Sequence, residues 1–139
     1  MSAAVSLENL KKDLQAVADK RQAALLQRFF KTGPGEYAEG DVFLGIKVPV
    51  QRSILKKYLA LDLEDIQELL NSKIHEHRFT GLLILVRQYE KGDISLRKKI
   101  YDFYLANTRN INNWDLVDVT CPRIVGQYLL EREKRFFIH

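Results

Sequence analysis

The sequence predicts an all-α protein in which antiparallel helix pairs stack as an α-solenoid. Apolar residues recur at helical spacing along almost the whole chain. The later connections are only two to five residues long, so neighbouring helices should turn back on one another. The helix-pair alternation also repeats at an offset of 36, which sets "ELLNSKIHEH" (68–77) beside "YLANTRNINN" (104–113) and pairs Leu69 with Leu105 and Asn71 with Asn107. A repeat of that length suits a solenoid, which buries its core by stacking and offers a concave face.

The elements follow in order. Val5, Leu7, Leu10, Leu14 and Val17 predict a helix over 5–17, with Ser6 as a weak cap. A second helix over 20–31 carries Ala23, Leu26, Phe29 and Phe30 and is stopped by Thr32-Gly33-Pro34-Gly35. Residues 36–47 have two glycines and no sustained periodicity, so they read as a long connection. "VFLGI" within it has strand propensity, but no partner strand is visible elsewhere. Pro49 suits the first turn of a helix from 48 to about Ala60. Asp62 caps a helix over 63–71, with Asp65 placed to answer it. Further helices are expected over 75–90, from Asp93 to about Asn107, from Asn112 or Asn113 to about Thr120, and from Pro122 to about Glu133.

Composition narrows the function classes. At 139 residues the chain reads as one domain or a piece of one, large enough to bury a real core, with 46% hydrophobic and 29% charged residues. No apolar run approaches the roughly 20 residues of a membrane span, and Met1 to Leu7 has no signal-peptide pattern. The single Cys121 fits a reducing, cytoplasmic setting and sits in an apolar context as a small packed residue. The three His (75, 77, 139) lack metal-ligand spacing. The net charge of +4 leans toward a polyanionic partner. Arg52, Lys56 and Lys57 cluster, as do Arg97, Lys98 and Lys99, with Arg87, Arg109 and Arg123 between and beyond; on charge alone, solvated helix faces are the better explanation.

"NNWDLVD" (112–118) is the most distinctive stretch. Positions 114 and 118 stand four apart in a helix, so an indole and a carboxylate share one face. Asp115 points about 100° away. One explanation is a core Trp with aspartates supporting a helix start. The other is a site for a cation, since carboxylates and indole faces both attract positive charge. The second stretch, "YAEGDVFLGIKVPVQR" (37–52), lacks the spacing of a phosphate-binding loop and reads as a connector packed by Val42, Phe43, Leu44 and Ile46.

Taken together and in order, "YAEGDVFLGIKVPVQRSILKKY" and "NNWDLVDVTCPRIVGQYLLE" resemble the AlkD-type DNA alkylation repair family, glycosylases built from HEAT-like helical repeats. The resemblance implies a C-shaped HEAT-like α-solenoid whose basic concave face holds duplex DNA carrying alkylated bases. It implies removal of positively charged purines, such as N3-methyladenine and N7-methylguanine, by hydrolysis of the N-glycosidic bond without base flipping. No metal or organic cofactor is implied. The family's W-D-x-V-D segment sets a Trp against the lesion nucleotide and an Asp near the breaking bond, and the matching positions are Trp114 and Asp118. Arg52, Lys56, Lys57 and Lys98 become phosphate contacts. Phe29 falls near an aromatic Tyr of some members, with a ring to stack but no hydroxyl.

The family also uses an Arg and a second Trp from later repeats, beyond His139. The chain therefore reads as residues 1–139 of a single HEAT-like domain, the N-terminal portion of a longer one. Ile124, Val125, Leu129 and Phe136 would then lie on an uncapped repeat, where they would favour self-association. Beside the glycosylase stand two other readings: a catalytically incomplete helical-repeat module that binds DNA or protein, and a scaffold that binds protein alone.

Overall fold

A computed structural model of the chain describes residues 6–30, 40–111 and 114–138; the side chains of Trp114, Asp115, Val119 and 134–138 lie outside that description. The chain is all-α. Among the described residues, eight α-helices run in order: α1 (Leu7–Ala16), α2 (Lys20–Phe29), α3 (Val48–Leu55), α4 (Leu63–Leu70), α5 (His75–Lys91), α6 (Ile94–Ala106), α7 (Trp114–Cys121) and α8 (Gln127–Ile138). A 3₁₀ turn, Thr108–Asn110, precedes α7, and a π-helical turn, Pro122–Gly126, joins α7 to α8.

Most starts are set by side chains that answer orphan amide groups. Ser6 accepts from the Asn9 amide at 3.1 Å, a better cap than its sequence context predicts. Asp19 accepts from Arg21 and Gln22 at 2.8 and 3.1 Å. Asp62 and Asp93 cap α4 and α6 as expected, through the Asp65 and Leu96 amides.

Helix α5 organises the core. It packs against α3, α4, α6, α7 and the π-turn, and is buried from His75 through Val86. Gly81 lets α4 approach closely, since a Cβ there would lie 3.1 Å from the Leu69 Cβ. The first turn of α5 buries polar groups, and each of those named here has a partner. The Glu76 carboxylate accepts from the amides of Leu44, Gly45 and Ile46 at 2.9, 3.0 and 3.3 Å. Arg78 donates to Asp41 at 2.6 Å and to the Ser72 carbonyl at 2.9 Å. His77 lies 3.0 Å from the Ser72 hydroxyl, and burial, with Lys11 nearby, pushes its pKa down to about 4. His77 is therefore neutral in the folded chain at neutral pH.

These bonds give the 40–47 connection its shape. Phe43 and Ile46 are buried as the sequence suggests, whereas Val42 is exposed. Val42 forms an isolated parallel bridge with Ile74, so the apolar run does find a β partner, though only at one residue. Gly45 has φ +84°, and a Cβ on it would overlap the Asp19 carbonyl and the Ala23 amide at the start of α2. Glycine is required there on both counts.

Several boundaries differ from the expected ones. Helix α3 ends at Leu55 rather than near Ala60. The Tyr58 amide bonds to Leu55 and the Leu61 amide to Tyr58, and all three side chains are buried. Burial at every third residue fits three-residue turns better than a 3.6-residue helix. Pro122 does not start a separate helix, because α7 passes through the π-turn into α8. A proline ring within a helix clashes with the carbonyl four residues before it, and a widened turn relieves that clash. The repeat alignment succeeds in part. Asn71 and Asn107 join one network through Gln67, at 2.9 and 2.7 Å. Leu69 is fully buried while Leu105 is 43% exposed, so the two helices use that position differently. Ile124 is fully buried, contrary to the expected uncapped surface, while Leu129 is 46% exposed; the Phe136 side chain and the stop at 32–35 lie outside the described residues. Among the described residues, no helix is long and apolar enough to cross a membrane.

Replacing Glu76 with Gln should cost on the order of 3 kcal/mol, because an amide nitrogen would then face backbone donors in a buried site. Chemical denaturation checks this; a loss below about 1 kcal/mol would mean that Glu76 does not hold the connection.

Candidate functional site

The exposed face of α7 is set by what the opposite face buries. Leu116 and Thr120 are both fully buried, and they stand about 40° apart around the helix. Position 118 lies two residues from each, about 160–200° around, and Asp118 is accordingly exposed. Position 114 falls about 40° from 118 by the same helical geometry, on that outer face. The Trp114 side chain lies outside the described residues, so the indole–carboxylate pair remains a proposal.

One hydrogen bond to a neighbouring helix holds this rotation, and a second within α7 orients the group that makes it. The Thr120 hydroxyl donates to the Leu116 carbonyl at 2.6 Å and lies 2.7 Å from the Tyr104 hydroxyl of α6, which supplies the proton for that contact. Burial pushes the Tyr104 pKa up, so the phenol stays protonated and remains a donor. Nothing in the sequence paired Tyr104 with Thr120. Their roles depend on the crossing of α6 and α7, which periodicity does not encode.

The basic residues fall into separate groups. Arg52, on α3, lines a hollow with Arg87 of α5 and Arg123 of the π-turn, together with Leu55, Leu83 and Val86. Lys56 and Lys57 are exposed in the turn after α3. Lys98 bonds to Asp102 one turn along α6 at 2.9 Å, and that hydrogen bond and charge raise its pKa. It keeps a carboxylate beside its charge. Arg97 donates to Glu131 at 2.7 Å and to the Tyr89 and Glu90 carbonyls, so it ties α6 to α8 and to the end of α5. Phe29 is 77% exposed at the edge of an aromatic group that continues through Phe30 and Phe43 to His75. Of the residues expected from the sequence, only Arg52 lies in the arginine hollow. In the sequence Arg87 and Arg123 stand as single charges, and their place on one hollow comes from the packing of α3, α5 and the π-turn.

The arrangement offers an exposed carboxylate on a helix held in fixed rotation and a separate cluster of cationic forks. Such groups can hold a positively charged centre and an anionic backbone respectively. Among the described residues, no group of three or more His, Cys, Asp or Glu side chains is placed to hold a metal ion.

Comparison with known proteins gives one match. The family model described as DNA alkylation repair enzyme matches residues 10–137. No curated protein and no solved structure matches the chain.

Removing the Tyr104 hydroxyl should test what orients α7. Tyr104→Phe is expected to cost about 1 kcal/mol in denaturant titrations; equal stability would show that the bond to Thr120 is dispensable.

Proposed function

The chain belongs to the DNA alkylation repair enzyme family, and we propose that it acts as a DNA glycosylase on positively charged alkylated purines such as N3-methyladenine and N7-methylguanine. A DNA partner and a role in DNA repair follow from the family. The observation that carries the finer reading is Asp118, an exposed carboxylate on the outer face of α7, at the family position next to the breaking bond.

The chemistry suits a carboxylate acting without a strong acid. Alkylation gives the purine a formal positive charge, so the base needs no protonation to leave. When the N-glycosidic bond breaks, its electron pair departs with the base, which becomes neutral. Positive charge then develops on the deoxyribose as an oxocarbenium-like species. Asp118, fixed by the helix rather than by a loop, stabilises that charge or orients the water that adds at C1′. The adding water leaves a sugar hydroxyl and releases a proton to solvent. Trp114, one turn before Asp118, supplies a ring against the lesion nucleotide and a π-face for its positive charge. The base need not rotate into an enclosed pocket, unlike the substrates of base-flipping glycosylases.

Phosphate contacts from Arg52, Lys56, Lys57 and Lys98 hold the duplex without reading its sequence. Phe29 offers an exposed ring that can pack on a sugar or base edge. The neighbouring carboxylate of Asp102 makes Lys98 the weakest of the four contacts.

Single-turnover release of N7-methylguanine from methylated duplex DNA tests the reading. Asp118→Asn should slow release by at least about a hundredfold, the scale seen when one transition-state electrostatic partner is removed. Its melting temperature should stay close to that of the parent, because Asp118 is exposed. Equal rates would remove Asp118 from the mechanism, and duplex binding without base release in the parent chain would support the non-catalytic module instead.

A further inference from the structure

Arg52, Arg87 and Arg123 come from three different elements, at intervals of 35 and 36 residues along the chain. Those intervals lie at or within one residue of the offset of 36 at which the helix-pair alternation recurs in the sequence. The three arginines line one hollow, and its other lining residues, Leu55, Leu83 and Val86, are buried apolar side chains. Among the described residues, no carboxylate lines it. Among the described residues, Arg52 and Arg87 make no ion pair. Arg123 has only Glu90, at 3.6 Å, with both side chains about half exposed or more. Such an exposed pair contributes little and yields readily to a better anion.

Three arginines on one hollow gather positive charge there, and the exposed Arg123–Glu90 pair is the one carboxylate contact that offsets it among the described residues. A tetrahedral oxyanion would do so, because each guanidinium presents a planar fork that matches two phosphate oxygens. The apolar floor of Leu55, Leu83 and Val86 leaves such an anion few competing polar groups beneath it.

We propose that Arg52, Arg87 and Arg123 form a phosphate cradle that grips one backbone phosphodiester of the bound DNA strand. This rests on the DNA-repair reading above and extends it. The cradle joins three elements through a single phosphate, so it fixes the register of the strand along the protein. Arg87 and Arg123 thereby become strand-positioning residues for the site on α7, to which the π-turn bearing Arg123 is directly joined.

The test measures duplex affinity across a salt series for the parent chain, Arg87→Gln, Arg123→Gln and Arg87→Lys. Each Gln variant should weaken binding of alkylated and unmodified duplex alike and lower the slope of log affinity against log salt by about one. Arg87→Lys should keep the slope, because the charge is retained, yet still bind more weakly, because the fork is lost. All four proteins should melt together, since Arg87 and Arg123 are exposed. A parallel titration with inorganic phosphate follows the arginine Nε–Hε NMR resonances. Duplex binding with an unchanged slope in Arg87→Gln would overturn the cradle and leave the DNA reading standing. Phosphate shifts at all three arginines in a chain that binds no duplex at low salt would support the anion site and overturn its assignment to DNA.

Discussion

The rest of the structure depends on α5 being buried along most of its length while bordering irregular chain. A helix so placed cannot leave neighbouring backbone groups to water, and each must find a partner inside the protein. Its side chains supply them. Glu76 accepts three consecutive amides of the 40–47 connection. At the other end, Gln88 donates to the carbonyls of Leu59 and Leu61, holding the turns between α3 and α4. In between, the Thr80 hydroxyl donates to Gln51 of α3, whose own amide group donates to the Ile46 carbonyl. Bonds from a charged group contribute roughly 1.5–3 kcal/mol each, and those left unmade cost as much. One helix thus fixes two connections as well as the core.

That scaffold positions the candidate site. Helix α7 and the π-turn both pack on α5, and α3 packs on it too. The buried pair Leu116 and Thr120 turns Asp118 outward, and the Tyr104–Thr120 contact keeps it there. Arg87 on α5 itself lines one hollow with Arg52 and Arg123 on the two elements beside it. Carboxylate and cations therefore belong to one packed frame rather than to separate loops. Precision of this kind suits a reaction in which charge builds at one sugar while the backbone is held nearby.

Much of the fold was legible in the sequence because its signals are local. The aspartate caps at 62 and 93, the apolar periodicity of α5 and the two-residue link at 92–93 all act within a few residues. The errors have a common physical origin in tertiary contact. Tyr58 and Leu61 are drawn inward at a spacing of three, which ends α3 early. Pro122 is absorbed by a wider turn instead of starting a helix. The site followed the same division. Asp118 is a candidate that helical spacing and family resemblance single out, but Tyr104, which contacts Thr120 on the opposite face of α7, lies on another helix. Arg87 and Arg123 carried a faint sequence signal, a spacing close to the repeat length, that only the packing made meaningful.

Hydrogen–deuterium exchange, with and without a duplex carrying N7-methylguanine, tests most directly whether this frame is a DNA-binding face. The account predicts slowed exchange over α7 and the π-turn, together with α3 and the segment of α5 around Arg87. Unchanged exchange across those segments, with protection confined to other surfaces, would contradict it.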